Sequence, residues 1–261
     1  KSISRLRSQK NSVSKPSVVI FADCFNTYFE SDNVHAAMEV LKAGNHSFNI
    51  LSQKDGSQRP LCCGRTFLSM GLVDQAMTEA QRFVASASKY IELGIPIVGL
   101  EPSCILSLRE EMAELLSISP EFKSKILLIE EYLERTKDEN TSKLNFKSPA
   151  NPKVFLHGHC HQKASGAMSA TIWSLAQVPG VDVEVIKSGC CGMAGSFGYQ
   201  KKSSHVADKI AELELAPAIR SMDQECAVSA SGTSCRHQIK NKTGRNAVHP
   251  IRFIRDCLAE L

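Results

Sequence analysis

The chain has 261 residues, 43% of them hydrophobic, enough for two modest domains that each bury a real core. Its net charge of +4 is concentrated at the start, where Lys1, Arg5, Arg7, Lys10 and Lys15 stand without an acid; the rest is about neutral, which argues against nucleic acid as a partner. No apolar run reaches the roughly 20 residues of a membrane helix. Ten cysteines are too sparse for a disulfide-stapled scaffold yet many for a globular protein, so metal or redox chemistry in a reducing compartment is expected.

Residues 1–16 form a basic, Ser-rich tail with no apolar stretch of signal-peptide type. It reads as linker from a larger polypeptide, with an expression boundary as the bland alternative. A first unit is expected over residues 17–135. It opens with a β-branched run, Val18 to Phe21, that reaches Cys24 as it ends. A second short apolar run, Phe48 to Leu51, precedes a polar loop and the Cys62-Cys63-Gly64 triplet. Val73, Ala76, Met77, Ala80, Phe83 and Val84 lie on one stripe of a helix predicted over Val73 to Leu93. Ile95 to Leu100 reads as a strand ending before Cys104, followed by a helix from about Ile105 to Leu116, and Ile126 to Arg135 looks helical.

Residues 136–152 are polar and rich in Pro, Asn and Ser, and read as a linker. A second unit over 153–261 replays the order of the first. Val154 to Leu156 is a strand leading to Cys160, and a helix is expected around Ala164 to Ala176, where Trp173 belongs to the core. Val181 to Ile186 is a strand before Cys190-Cys191-Gly192. A helix from about His205 to Leu215 and a strand from Cys226 to Ala230 lead to Cys235, and Pro250 starts a last helix through Cys257. The expected class is therefore α/β: two repeated Rossmann-like units related by duplication, each a short parallel sheet flanked by helices.

The cysteines carry the chemistry. Cys24, Cys62, Cys63 and Cys104 are matched by Cys160, Cys190, Cys191 and Cys235, each pair 128 to 136 residues apart. Each position follows a predicted strand, at the sheet edge where ligands collect in parallel α/β folds. Four thiolates per unit suit a tetrahedral zinc or an iron–sulfur cluster. Adjacent cysteines strain a single-ion site but can each take a different iron, which favours the cluster. Gly64 and Gly192 relax the turn after each pair and leave backbone N–H groups free to face sulfur. The glycine-rich stretch from Gly192 to Gly198 matches no phosphate-loop fingerprint. His157, His159 and His161 surround Cys160; they support an alternative zinc site, a cluster-tuning hydrogen bond (the role expected of His161), or simple packing. Cys226 and Cys257 have no counterparts and are expected to be structural.

These residues resemble the cysteine-rich "CCG" domain, named for its Cys-Cys-Gly triplet. The resemblance spans about residues 17 to 255. It is carried by Cys62-Cys63-Gly64-Arg65 and Gly99-Leu100-Glu101-Pro102-Ser103-Cys104 in the first half, and in the second by Leu156 to Lys163, Ser188 to Tyr199 and Ser234-Cys235-Arg236. Such domains are found duplicated in heterodisulfide reductase, and in the iron–sulfur components of anaerobic glycerol-3-phosphate dehydrogenase and of glycolate and lactate oxidising systems. The second half is similar to the C-terminal region of bacterial FAD-linked oxidases of the D-2-hydroxyglutarate or D-lactate dehydrogenase type. Where the fuller family pattern ends in Cys-x-x-Cys, Glu101 and Gly232 replace the first cysteine, so four ligands remain per unit.

The resemblance implies an electron-transfer module within an FAD-linked 2-hydroxy-acid dehydrogenase, catalytically incomplete alone and without catalytic residues of its own. One or two 4Fe–4S clusters, ligated by the eight cysteines, would receive electrons from a flavin-containing domain or subunit outside this chain. A quinone or electron-carrier protein would accept them. The expected location is the cytoplasm, with peripheral attachment at the inner face of the membrane as a variant. The competing reading is a zinc-stabilised structural or docking module with no redox role.

Overall fold

Val18, Val19, Ile20 and Phe21 are all essentially inaccessible to solvent, as a strand covered on both faces of a parallel sheet must be. In the computed structural model, which describes residues 14–57, 59–138 and 144–259, this segment is β1 (Val18–Phe21). The chain divides after Leu144 into two compact units. Most of the basic tail lies outside the described residues.

The first unit adds β2 (Phe48–Ile50), β3 (Ile97–Gly99) and β4 (Ile126–Leu128), all parallel, in the order β2-β1-β3-β4. Helix Val73–Ile91 packs through Ala76, Ala80, Phe83, Ala87 and Ile91, whose spacing of three and four builds one apolar stripe. Phe83 meets Phe21 edge-to-face with ring centroids 5.0 Å apart. Val73, expected on that stripe, is instead exposed at the helix start.

Three local expectations differ from the structure. Ile126–Leu128 is a strand, and only Ile129–Arg135 is helical: all three strand residues are buried beside β3, so sheet pairing overrides the apparent helical run. The helix expected over 105–116 begins earlier and splits at Glu110 into Pro102–Arg109 and Glu111–Leu115. Gly166, at a φ of 72°, separates Cys160–Ala164 from Met168–Ala176. Helices Ser31–Ala43 and Thr233–Thr243 were not foreseen, although Val34, Ala37, Val40 and Leu41 give the former a clear apolar face.

The second unit contains β5 (Lys153–His157), β6 (Asp182–Val185) and β7 (Ala227–Ala230), parallel and ordered β6-β5-β7. Val248 bonds alongside β7, its N–H donating to Val228 and its carbonyl accepting from Ala230, and helix Pro250–Asp256 follows. The position mirrors that of β4 and its helix beside β3. Of the expected linker, residues 139–143 lie outside the described residues, whereas Asn145 and Lys147 already hydrogen-bond to Ala259 and Cys257 of the second unit. Among the described residues, no helix is long and apolar enough to cross a membrane.

Candidate metal centres

Each thiol set forms where chain segments leave the carboxyl ends of the strands. In the first unit Cys24 opens helix Cys24–Tyr28 just after β1, and Cys104 lies in the first turn of helix Pro102–Arg109 after β3. The Cys62-Cys63-Gly64 turn arrives between them. In the second unit Cys160 opens helix Cys160–Ala164 after β5, and Cys235 lies in the first turn of helix Thr233–Thr243 after β7. Helix N-termini direct unpaired N–H groups outward and favour negative charge nearby, so these placements suit thiolates.

The sulfurs of each unit neighbour one another in series. Cys24 meets Cys62, which meets Cys63, which meets Cys104. Likewise Cys160 meets Cys190, which meets Cys191, which meets Cys235. The eight sequence-predicted cysteines thus neighbour one another in two series of four, and among the described residues the group whose ligand atoms all lie within 4.8 Å of one another is Cys191, Cys235 and His157. All ten cysteines of the chain are free thiols, Cys226 packing against the second core and Cys257 buried at the end of the last helix.

Gly64 and Gly192 make the vicinal turns possible. They hold φ at 80° and 89°, and a methyl group on either would stand 2.5 Å from the Ala76 carbonyl oxygen or 2.2 Å from that of Ala207. The backbone of each turn therefore packs directly on a following helix, Val73–Ile91 in the first unit and Ser204–Leu213 in the second. From this position the Gly64 N–H reaches the Cys62 sulfur at 3.5 Å, the Arg65 N–H reaches Cys63 at 3.5 Å, and the Gly192 N–H reaches Cys190 at 3.3 Å.

Those bonds decide where charge settles. Cys62 and Cys190 are held well below the usual thiol range by hydrogen bonds from Cys24 and Cys160, then from Cys63 and Cys191, with backbone N–H groups adding to the effect. Cys24 and Cys160 are pushed up because they donate in those pairs and, next, because neighbouring protein atoms displace part of the water around their sulfurs; Cys24 is partly exposed and Cys160 exposed. The last members differ. The bond from Cys63 pulls Cys104 down, but burial and the charges of Asp23 and Glu101 carry it to about 12. Cys235 moves the other way, lowered by the bond from Cys191 and by the hydrogen bond and charge of His157.

Two imidazoles meet the sulfurs: His157, at the end of β5, whose ring, Cys191 and Cys235 place ligand atoms within 4.8 Å of one another, and His159, whose Nδ1 lies 4.0 Å from the Cys160 sulfur. The Nδ1 of His157 lies 3.0 Å from the Ser188 hydroxyl, which fixes the ring. His159 caps the following helix by accepting the His161 N–H at 3.1 Å. The ring of His161 stacks edge-to-face on His159 at 5.3 Å, while its backbone N–H also turns toward Cys160. Lys163 bonds the Ser188 and Gly189 carbonyls at 2.6 and 3.0 Å, pinning the approach to the vicinal pair. Asp23 was not foreseen: buried, it caps helix Cys24–Tyr28 by accepting the Phe25 and Asn26 N–H groups at 2.9 and 3.1 Å. An acid just before a cysteine that opens a helix was its signal.

The comparisons with known proteins agree with this geometry. The model of a cysteine-rich domain, CCG, matches residues 154–240. The chain is 29% identical over 249 residues to one subunit of the anaerobic glycerol-3-phosphate dehydrogenase of Escherichia coli K12, covering 94% of this chain and 60% of that protein. It is 27% identical over 241 residues to D-2-hydroxyglutarate dehydrogenase of Pseudomonas putida, covering 91% of this chain and 22% of the relative. The chain therefore spans about 60% of the length of the first of these relatives and less of the second. A solved glutamate racemase from Bacillus anthracis matches with 12% identity and a TM-score of 0.35 over 91% of this chain and 77% of that one, too slight a likeness to bear on fold or function. Residues 154–240, within the second unit, thus match the cysteine-rich CCG domain.

Proposed function

We propose that this chain is the iron–sulfur electron-transfer region of a flavin-linked 2-hydroxy-acid dehydrogenase, with two units related by duplication that each hold one 4Fe–4S cluster. Electrons come from a flavin on another domain or subunit and leave to a quinone or an electron-carrier protein. Its location is cytoplasmic, with or without peripheral attachment to the inner face of a membrane. The observation that carries this reading is the twice-repeated series of four thiols, with helix N-termini and backbone N–H groups directed at the sulfurs. The dehydrogenases and the dehydrogenase component among its relatives support the redox role.

The donor set fits a cluster. Within each vicinal pair the two sulfurs turn to different partners, Cys62 to Cys24 and Cys63 to Cys104, Cys190 to Cys160 and Cys191 to Cys235. Such divergence suits several metal atoms better than one small ion. When bound, a 4Fe–4S cluster stores and releases single electrons at nearly constant geometry. The residues of the chain supply everything around it. The eight cysteines would be the ligands, and the Gly64, Arg65 and Gly192 N–H groups hold negative charge on sulfur. Gly64 and Gly192 let the turns close onto the helices behind them, and His161, through its backbone N–H, restrains Cys160.

One observation favours a second reading in the second unit. His157, Cys191 and Cys235 converge as zinc ligands do, so a structural zinc site could form there. Protein purified without oxygen is to be assayed for iron, acid-labile sulfide and zinc, with a low-temperature EPR spectrum after reduction. Iron and sulfide in equal amounts with a cluster signal support the electron-transfer reading. Stoichiometric zinc without iron and without a signal overturns it in favour of the structural module.

A further inference from the structure

The two thiol sets are alike in their sulfurs and differ in the buried groups around them, although an acid, Glu214, also accepts the Gly189 N–H at 2.6 Å beside the second set. Around Cys24 and Cys104 the buried ionisable groups are acids, with Asn26 donating to Asp23 at 2.7 Å. Asp23, fully buried, caps the helix of Cys24, and Glu101, 3% exposed, caps the helix of Cys104 by accepting from the Ser103 N–H and hydroxyl at 3.4 and 2.7 Å. The positions corresponding to Asp23 and Glu101 in the second unit are His159 and Gly232. A side chain at Gly232 would collide with His159, whose ring carbon would lie 2.5 Å from the added Cβ. The exchange of an acid for glycine thus makes room for an imidazole.

Two further differences have the same sign. His157 places a ring nitrogen within 4.8 Å of the Cys235 sulfur, whereas the corresponding Phe21 has no polar side-chain atom. Arg236, 6% exposed and next to Cys235, holds a buried positive charge against the Ala230 and Ser231 carbonyls at 2.7 and 2.8 Å and the Thr233 hydroxyl at 3.1 Å; Ile105 stands at that place after Cys104. Arg59, a cation that acts on Cys62, is largely exposed and paired with Glu79 at 2.6 Å. Cys160 is also exposed to water, whereas Cys24 is only partly so.

A cluster on four thiolates is anionic and gains negative charge on reduction, so its potential rises with N–H donors to sulfur, nearby cations and solvent access, and falls beside acids. On the basis of the function proposed above, we infer that the chain holds two clusters of unlike potential, the second unit's being the higher, and that His157, Arg236, Asp23 and Glu101 set the difference.

Redox titration of the anaerobic protein, followed by EPR, tests this on the wild type and on variants lacking one set, Cys62→Ser with Cys63→Ser or Cys190→Ser with Cys191→Ser. Two waves are expected, the upper lost with Cys190 and Cys191 and the lower with Cys62 and Cys63. His157→Phe should shift the upper wave down, and His157→Gln, which keeps an N–H donor, should restore much of the shift. Asp23→Asn and Glu101→Gln should raise the lower wave while leaving the upper in place. Iron content and circular dichroism of each variant identify any that has misfolded. A single wave shared by both sets, or a reversed order, overturns the inference while leaving the electron-transfer reading intact. Absence of iron and sulfide from the wild type defeats that reading itself.

Discussion

Gly64 and Gly192 are where the site depends most on a single atom. Alanine at 192 must hold a φ of 89° and also push its methyl group into the Ala207 carbonyl. Gly192→Ala should therefore destabilise the second unit by roughly 3 kcal/mol through strain and overpacking together. Gly189→Ala, whose new methyl group has no neighbour closer than 3.6 Å, should cost under about 1 kcal/mol. Urea unfolding of the two variants checks the contrast, and equal midpoints would count against the close-packed turn. Glu130 gives a second test, away from the thiols. It is fully buried, its carboxyl oxygens meet no donor from another described residue, and burial raises its pKa from 4.5 to about 8. Because the folded value is the higher, its contribution is complete below about pH 4.5 and is lost as pH rises through about 8. Glu130→Gln should flatten the pH dependence of unfolding free energy across that window and should be more stable than wild type above it. At this scale the cysteines were legible because their identity and spacing repeat. The histidines were not, since His157, His159 and His161 are equally near Cys160 in sequence, and only the end of β5 and the start of the next helix separate their directions.

Helix N-termini recur as the device that carries the cysteines, and their anchoring is testable. Arg109 closes helix Pro102–Arg109 and holds both Glu131 oxygens at 2.9 Å, while Glu131 also accepts the Leu128 N–H at 2.7 Å. The helix of Cys104 is thereby tied to β4 and the helix after it. Arg109→Met should cost about 1–3 kcal/mol in the first unit, measured by denaturant unfolding, because Glu131 loses its charge partner while half-buried. In the second unit Lys163→Met removes the clamp on the Ser188 and Gly189 carbonyls. Iron should then pass to a chelator roughly fivefold faster, the equivalent of about 1 kcal/mol, and an unchanged rate would show that the clamp does not restrain the vicinal pair. The parallel strands and the strand-to-cysteine geometry were largely readable from runs such as Val18 to Phe21. Ile126–Leu128 was misread because a short buried strand running straight into a helix has no turn residue to mark the change. Helix Thr233–Thr243 escaped because its polar stretch from Arg236 to Thr243 offers little apolar periodicity.

At the scale of the whole molecule, the chain is two units with separate sheets and separate thiol sets. Corresponding cysteines follow corresponding strands, and the glycine of each vicinal triplet packs on an alanine carbonyl of a following helix. The family model reaches only residues 154–240, whereas the relatives align along nearly the whole chain. The first unit departs from the second in the acids around its sulfurs, a difference that pairwise spacing of cysteines does not reveal. If each set is a complete ligand shell, losing one should leave the other loaded. The decisive measurement is iron and acid-labile sulfide per chain in the anaerobic wild type and in the Cys62→Ser/Cys63→Ser and Cys190→Ser/Cys191→Ser variants. About eight irons in the wild type and about four in each variant are expected, four per set. Unchanged iron in either variant, or zinc in place of iron throughout, would contradict two independent clusters held by these eight cysteines.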